Sequence, residues 1–224
     1  MCLILFAWQA DPRYRLVLAA NRDEFFARPS VPAGYWHDAP QVLGGRDLEK
    51  GGSWLAVDRS GRWAAVTNFR DGGLVGQAAR SRGSLVGDYI RSKTQPHDYL
   101  RALAADDHDY AGFSLLIADP QSLQYTSNRG AVAGASVTPG VHGLSNHLLD
   151  TPWPKVQRGR LRLEALLGAC EATLVEGLFE TLLDRQPAQD DELPSSGVGR
   201  ERERALSPAF ISAGDYGTRA STVM

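Results

Sequence analysis

Cysteine is scarce in this 224-residue chain, which carries only Cys2 and Cys170. They form no CxxC pair and no Cys/His cluster, so a disulfide framework and structural zinc are excluded and a reducing compartment is indicated. His37, His97, His108, His142 and His147 lack metal-ligand spacing, and neither a metal nor a cofactor is expected. No apolar run approaches the ~20 residues of a membrane span, so an integral membrane protein is not expected. The opening Cys2–Trp8 segment is apolar, but it has no basic flank and meets Asp11-Pro12 at once. It therefore reads as a strand rather than a signal peptide, and a cytoplasmic location follows. Excess charge is also missing. Twenty-four basic and 26 acidic residues leave a formal charge of −2, which argues against nucleic acid or an anionic membrane as the main partner. Arg200, Arg202 and Arg204 alternate with Glu201 and Glu203, a pattern that reads as a solvated, self-neutralising face. No Pro/Ser-rich linker divides the chain, so a single domain over 1–224 is expected. The polar run 186–204, with Pro187, Pro194, Ser195 and Ser196, reads as a mobile loop or lid within it.

What is present is an order of hairpins and helices. Cys2–Trp8 and Arg15–Ala20 read as a first hairpin, whose second strand returns Asn21-Arg22-Asp23-Glu24 to the side of Cys2. Gly44-Gly45-Arg46-Asp47 and Gly51-Gly52 read as glycine-rich loops, without the strand before and helix after that a phosphate cradle needs. Ser53–Val57 and Arg62–Thr67 flank a turn at Asp58–Gly61, and Phe113–Ala118 and Leu123–Ser127 flank Asp119-Pro120. Val141–Ser145 is a further strand. Helical spacing marks Ser84–Ser92, Pro96–Ala105, Lys155–Cys170 and Ala172–Asp184, with Cys170 expected in the core. Ser221–Met224 reads as the middle of a strand, with room for another beyond it. Segregated strands and helices indicate α+β with largely antiparallel sheets. Strands apolar on both faces suggest two stacked sheets between helix layers, a four-layer αββα sandwich.

The chemistry centres on Cys2. Once an initiator methionine is trimmed, this residue carries a thiol nucleophile and an α-amine that titrates near ~7.7–8.0, a base of its own. Asp23 or Glu24 could hold the ammonium, and Arg22 could lower the thiol pKa or bind a carboxylate. Asn68 and Asn146 each end an apolar strand and offer side-chain amides suited to an oxyanion hole. Trp153, between two prolines, could border the substrate entrance.

Met1-Cys2, Ala20-Asn-Arg-Asp-Glu-Phe25, Gly44-Gly-Arg-Asp47, Gly52-Ser-Trp54, Thr67-Asn-Phe-Arg70, Leu144-Ser-Asn146 and Tyr216-Gly-Thr-Arg219 together resemble the NRDE family. That family includes the Transport and Golgi organization two proteins. A more distant resemblance, to N-terminal-nucleophile hydrolases of the penicillin acylase and bile-salt hydrolase type, implies the fold and a cysteine amidohydrolase cleaving a linear carbon–nitrogen amide. It implies Cys2, Arg22, Asp23, Glu24, Asn68 and Asn146 as catalytic and Asn21, Trp153 and Arg219 as substrate-binding. The arginine of the motif is displaced by one position here, which leaves Asp23 and Glu24 as alternative acids. The family resemblance also implies a second possibility, a non-catalytic pocket for haem or for an acyl-coenzyme A or lipid ligand, with Cys2, Tyr35 or Tyr125 as candidate haem ligands.

Overall fold

The computed structural model describes residues 2–72, 78–130 and 134–224. Met1, whose removal would free the amine of Cys2, lies outside them. In chain order the elements are β1 (Cys2–Asp11), β2 (Tyr14–Phe25), β3 (Ser30–Trp36), β4 (Ala39–Asp47), β5 (Leu55–Asp58), β6 (Trp63–Asn68), α1 (Arg82–Arg91) and α2 (Pro96–Leu103). They continue with β7 (Phe113–Ala118), β8 (Leu123–Ser127), β9 (Ala135–Ser136), β10 (Gly140–Leu144), α3 (Pro154–Leu166), α4 (Glu171–Leu182), α5 (Arg200–Ala205), β11 (Ser212–Ala213) and β12 (Tyr216–Val223). None of the described helices is long and apolar enough to cross a membrane.

The chain divides into two compact units, one of Met1–Ala27, Arg70–Gly73 and Thr138–Met224, the other of Arg28–Phe69 and Leu74–Val137. The first holds an antiparallel sheet in the order β10-β1-β2-β12-β11. Alternation along the strands sends Leu3, Leu5, Ala7, Val17 and Ala19 to one face, where they pack on Val156 and Leu163 of α3 and Leu174, Leu178 and Leu182 of α4. Ile4, Phe6 and Leu18, on the opposite face, are buried as well. The second unit holds the antiparallel sheet β3-β4-β5-β6-β7-β8-β9. Its core joins Val42, Ala64, Leu115 and Ile117 to Leu85, Val86, Tyr89 and Ile90 of α1.

The turns form where short acidic side chains can satisfy backbone donors. Asp11 Oδ1 accepts from the Arg13 N–H, Asp58 Oδ1 from those of Ser60 and Arg62, and Asp119 Oδ1 from those of Gln121 and Ser122. Proline opens α2 and α3, where its missing N–H is harmless.

Three local expectations are corrected. Gly44–Asp47 lies in a strand, β4, not a loop. The glycine there admits a neighbour, since a Cβ on Gly45 would stand 2.2 Å from the Trp54 ring. Cys170 is exposed and caps the start of α4 rather than lying inside a helix, because the preceding helix stops at Leu166 and Gly168 turns with φ +90°. The run of alternating charges forms α5, and Glu203 within it is 2% exposed, so that face is not wholly solvated.

Candidate active site

Cys2 opens β1, which lies between β2 and β10, and its Cα partner across the ladder is Arg22. The cysteine is partly exposed as a residue, but its thiol sits among protein atoms. That desolvation pushes the thiol pKa up, aided by the negative charge of Asp23, while the Asp23 backbone N–H bonded to the thiol and the Arg22 cation pull it down.

Period-two alternation separates the acidic pair of the motif. Arg22 and Glu24 share a face, with Arg22 Nη2 3.9 Å from Glu24 Oε2. Glu24 is half-buried, and its carboxylate accepts from the Phe25 N–H at 3.0 Å. Asn21 and Asp23 project to the face covered by α3 and α4. Asp23 is 1% exposed, and its Oδ1 accepts from Thr218 Oγ1 at 2.6 Å. That hydroxyl in turn accepts from the Ile211 N–H at 2.9 Å. Burial raises the Asp23 pKa, opposed by the nearby charges of Lys155 and Arg70 and by the Thr218 hydrogen bond. Of the two alternative acids, Asp23 is therefore the one bonded to the thiol through its backbone and electrostatically coupled to it.

Asn21, which the sequence reading puts at the substrate, donates instead to the carbonyls of Leu182 and Ala209 at 2.8 and 2.9 Å. Its Oδ1 accepts from Ser221 Oγ at 2.7 Å, so both amide hydrogens and the carbonyl are held within the fold. Asn146 is fully buried in the left-handed region, φ +52°, just past the β1–β10 ladder at the Cys2 end of β1. Its carbonyl accepts from the Arg70 N–H at 2.8 Å. Asn68 belongs to the second unit, where it ends β6 opposite Phe113. Arg219 sits at a bulge in β12, and its Nη1 donates to the Phe25 carbonyl at 3.0 Å. Tyr35 is exposed beneath the Arg59 guanidinium, and the Tyr125 hydroxyl is within 3.2 Å of Ser114 Oγ, both in the second unit.

Trp153 walls a cavity of about 330 Å³ in the first unit, together with Arg70, Asp71, His147 and Pro194–Ser196. The Arg70 guanidinium lies 4.6 Å from the Trp153 ring and forms a buried ion pair with Glu203. Glu203 Oε1 also accepts from the Ser196 N–H and hydroxyl, tying the cavity wall to the pair. Among the described residues, no group of three or more His, Cys, Asp or Glu side chains could hold a metal ion.

The residues of this network differ in how visible they are in the sequence. Arg70 and Thr218 fall within the Thr67–Arg70 and Tyr216–Arg219 motifs, whereas Glu203 and Lys155 carry no local signal.

The family model described as Transport and Golgi organisation 2 matches residues 1–224. The chain belongs to that family. A Transport and Golgi organization protein 2 homolog of Bos taurus is 38% identical over 246 aligned residues, covering 100% of this chain and 88% of its own. The Homo sapiens homolog is 34% identical over 245, with the same coverage. Among solved structures, a Caenorhabditis elegans N-acylethanolamine-hydrolyzing acid amidase ortholog superposes with a TM-score of 0.55 at 11% identity, covering 79% of this chain and 85% of that one. That likeness establishes for this Transport and Golgi organisation 2 member the α+β fold of N-terminal-nucleophile hydrolase type, with antiparallel sheets.

Proposed function

We propose that this protein is an N-terminal cysteine amidohydrolase acting on a linear carbon–nitrogen amide. The observation that carries the reading is Cys2 itself: a thiol at the head of an interior strand, with Arg22 opposite and the Asp23 N–H bonded to it. In this reading the thiolate attacks the amide carbonyl and forms a C–S bond, and the carbonyl electron pair moves onto oxygen. Asn146 is the proposed donor to that oxyanion, where a fixed amide in a dry site acts strongly. Collapse of the tetrahedral intermediate breaks the C–N bond, and the amine leaves with a proton. Water then cleaves the thioester and returns the thiol.

Asp23 takes the role of holding the α-amine of a processed Cys2, and Arg22 balances the thiolate, with Glu24 orienting Arg22. Trp153 and Arg219 border the substrate path. We place the protein in the cytoplasm.

One observation favours a second reading. Burial raises the thiol pKa, which suits a resting protonated thiol in a non-catalytic pocket for haem or an acyl-coenzyme A or lipid ligand. Cys2→Ala separates the two. Under the hydrolase reading it abolishes iodoacetamide labelling at residue 2 and all amidase turnover without altering the melt. If Cys170 alone takes the label in the unaltered protein, the hydrolase reading fails.

A further inference from the structure

Side chains of β12 reach across to the Asn21–Phe25 motif of β2, and their targets are not alike. Ser221 Oγ donates to Asn21 Oδ1 at 2.7 Å, and Arg219 Nη1 to the Phe25 carbonyl at 3.0 Å. Both bonds end on uncharged oxygens. Two others converge on Asp23. Tyr216 Oη donates to its carbonyl at 2.9 Å, and Thr218 Oγ1 to its Oδ1 at 2.6 Å. Thr218 and Asp23 are Cα partners in the β2–β12 ladder, so the two side chains share a face of the sheet. One neighbouring strand thus grips Asp23 at both its main chain and its carboxylate.

The Thr218 hydroxyl is itself held. Its oxygen accepts from the Ile211 N–H at 2.9 Å, and the Thr218 N–H donates back to the Ile211 carbonyl at 2.9 Å. A hydroxyl has one hydrogen to give, and here Asp23 Oδ1 receives it. The 2.6 Å separation suits a hydroxyl on an ionised oxygen, being shorter than the ~2.7–2.8 Å usual between neutral groups. Register supplies the link to the nucleophile. Cys2 pairs with Arg22, so Asp23 stands one position further on, level with the amino side of Cys2. We propose that Thr218 is a positioning residue for Asp23, holding its carboxylate ionised and in a fixed orientation for the α-amine of a processed Cys2. The inference rests on the proposed reading of Cys2 as nucleophile and of Asp23 as the partner of its amine. The terminal amine, Lys155 of α3 and Arg70 also favour the Asp23 carboxylate, and burial opposes it. All of these stay in place when Thr218 alone is changed, so the share of the hydroxyl is read by difference.

The test is a pair of NMR titrations on the full chain, with removal of Met1 checked by intact mass. Isotope-labelled aspartate reports the Asp23 carboxyl, assigned by its loss in Asp23→Asn. Isotope-labelled cysteine reports the α-carbon of Cys2, with Cys170 giving the only other signal. Thr218→Val keeps the shape and removes the hydroxyl. It is expected to raise the Asp23 midpoint by about one to two pH units, a ten- to hundredfold change, as the loss of a hydrogen bond to a charged group implies. It should also lower the midpoint of the Cys2 amine, because a carboxylate that turns away or takes a proton supports the ammonium less. Thr218→Ser retains the hydroxyl and is expected to keep both midpoints in place. Ser221→Ala removes a hydroxyl from the same strand and should lower the melting temperature without moving either. Unmoved midpoints in Thr218→Val, or equal movement in Ser221→Ala, would overturn the inference and leave Thr218 as a tie between β12 and Ile211. Should Thr218→Val fail to fold, the Thr218 β-carbon of the unaltered protein decides: it is expected to titrate with Asp23, and the lack of that inflection is equally decisive. A Cys2 amine midpoint unchanged in Asp23→Asn, or a retained Met1, would instead bring down the reading of Asp23, and the inference with it.

Discussion

Replacing Glu203 by alanine should be among the most damaging single changes in the first unit. The Glu203 and Arg70 side chains are 3% and 4% exposed, so neither charge has bulk water to fall back on. Burial already lowers the Arg70 pKa, and the Glu203 carboxylate is its main counterweight. Breaking a buried pair by removing one partner costs about 3–5 kcal/mol, because the remaining charge stays desolvated. Glu203→Ala also takes the acceptor from the Ser196 N–H and hydroxyl. For a chain of this size each kcal/mol lowers the melting temperature by roughly 2–4 °C, so a fall of about 6–20 °C is expected. Replacing both residues by methionine should recover at least half of it, since apolar groups of similar volume need no counter-charge. Circular dichroism melts and urea titrations of Glu203→Met, Arg70→Met and the double methionine variant form the cycle. A single-variant loss below about 1 kcal/mol, or a double variant as unstable as the sum of the singles, would refute the argument.

Three further outcomes follow from local geometry. His142 Nδ1 meets Asp150 Oδ2 at 2.7 Å and Nε2 meets the Thr138 carbonyl at 2.9 Å; both partners accept, so both ring nitrogens must donate. The Asp150 hydrogen bond raises the His142 pKa above 6.5. Its contribution is therefore complete below pH 6.5 and lost as pH rises through the raised value, and urea midpoints at pH 6 and pH 9 should converge in His142→Gln. Asn21→Ala should lower stability by about 2–5 kcal/mol with or without ligand, because two buried carbonyls lose their donors; an unchanged melt with weakened substrate affinity would instead restore the substrate-contact role. Gly45→Ala should cost about 1–3 kcal/mol by driving a methyl group into the Trp54 ring, and a neutral melt would mean that ring swings aside freely.

The hairpins β1–β2, β5–β6 and β7–β8 were legible because alternation and Asp-anchored turns are local signals. Strands β3 and β4 were not, since Pro32, Gly34, Gly44 and Gly45 carry loop chemistry and only pairing with β5 makes β4 a strand. Cys170 was misplaced because helical spacing continues across Gly168, whose φ of +90° ends the helix. At the site, Cys2 and its Arg22 neighbour could be placed from hairpin register alone. Which acid accompanies the thiol could not, because Asp23 and Glu24 differ only in which sheet face each occupies. The charges of Lys155 and Arg70 act on Asp23, and Glu203 pairs with Arg70, all from segments distant in sequence that no spacing rule joins.

The first unit is assembled from segments far apart in the sequence. Its strand β2 pairs with β12, so Arg22 faces Ala220 and Asp23 faces Thr218 across nearly 200 positions. Contacts of such long range are closed late in folding. During synthesis, which runs from the N-terminus at about 5–20 residues per second, the thiol emerges first and its carboxylate neighbour waits for Thr218 to leave the ribosome. The nascent chain therefore carries an accessible cysteine long before the surroundings that tune it exist. Whatever Asp23 does at the Cys2 thiol therefore depends on a strand, Tyr216–Val223, that lies nearly 200 positions further along the chain.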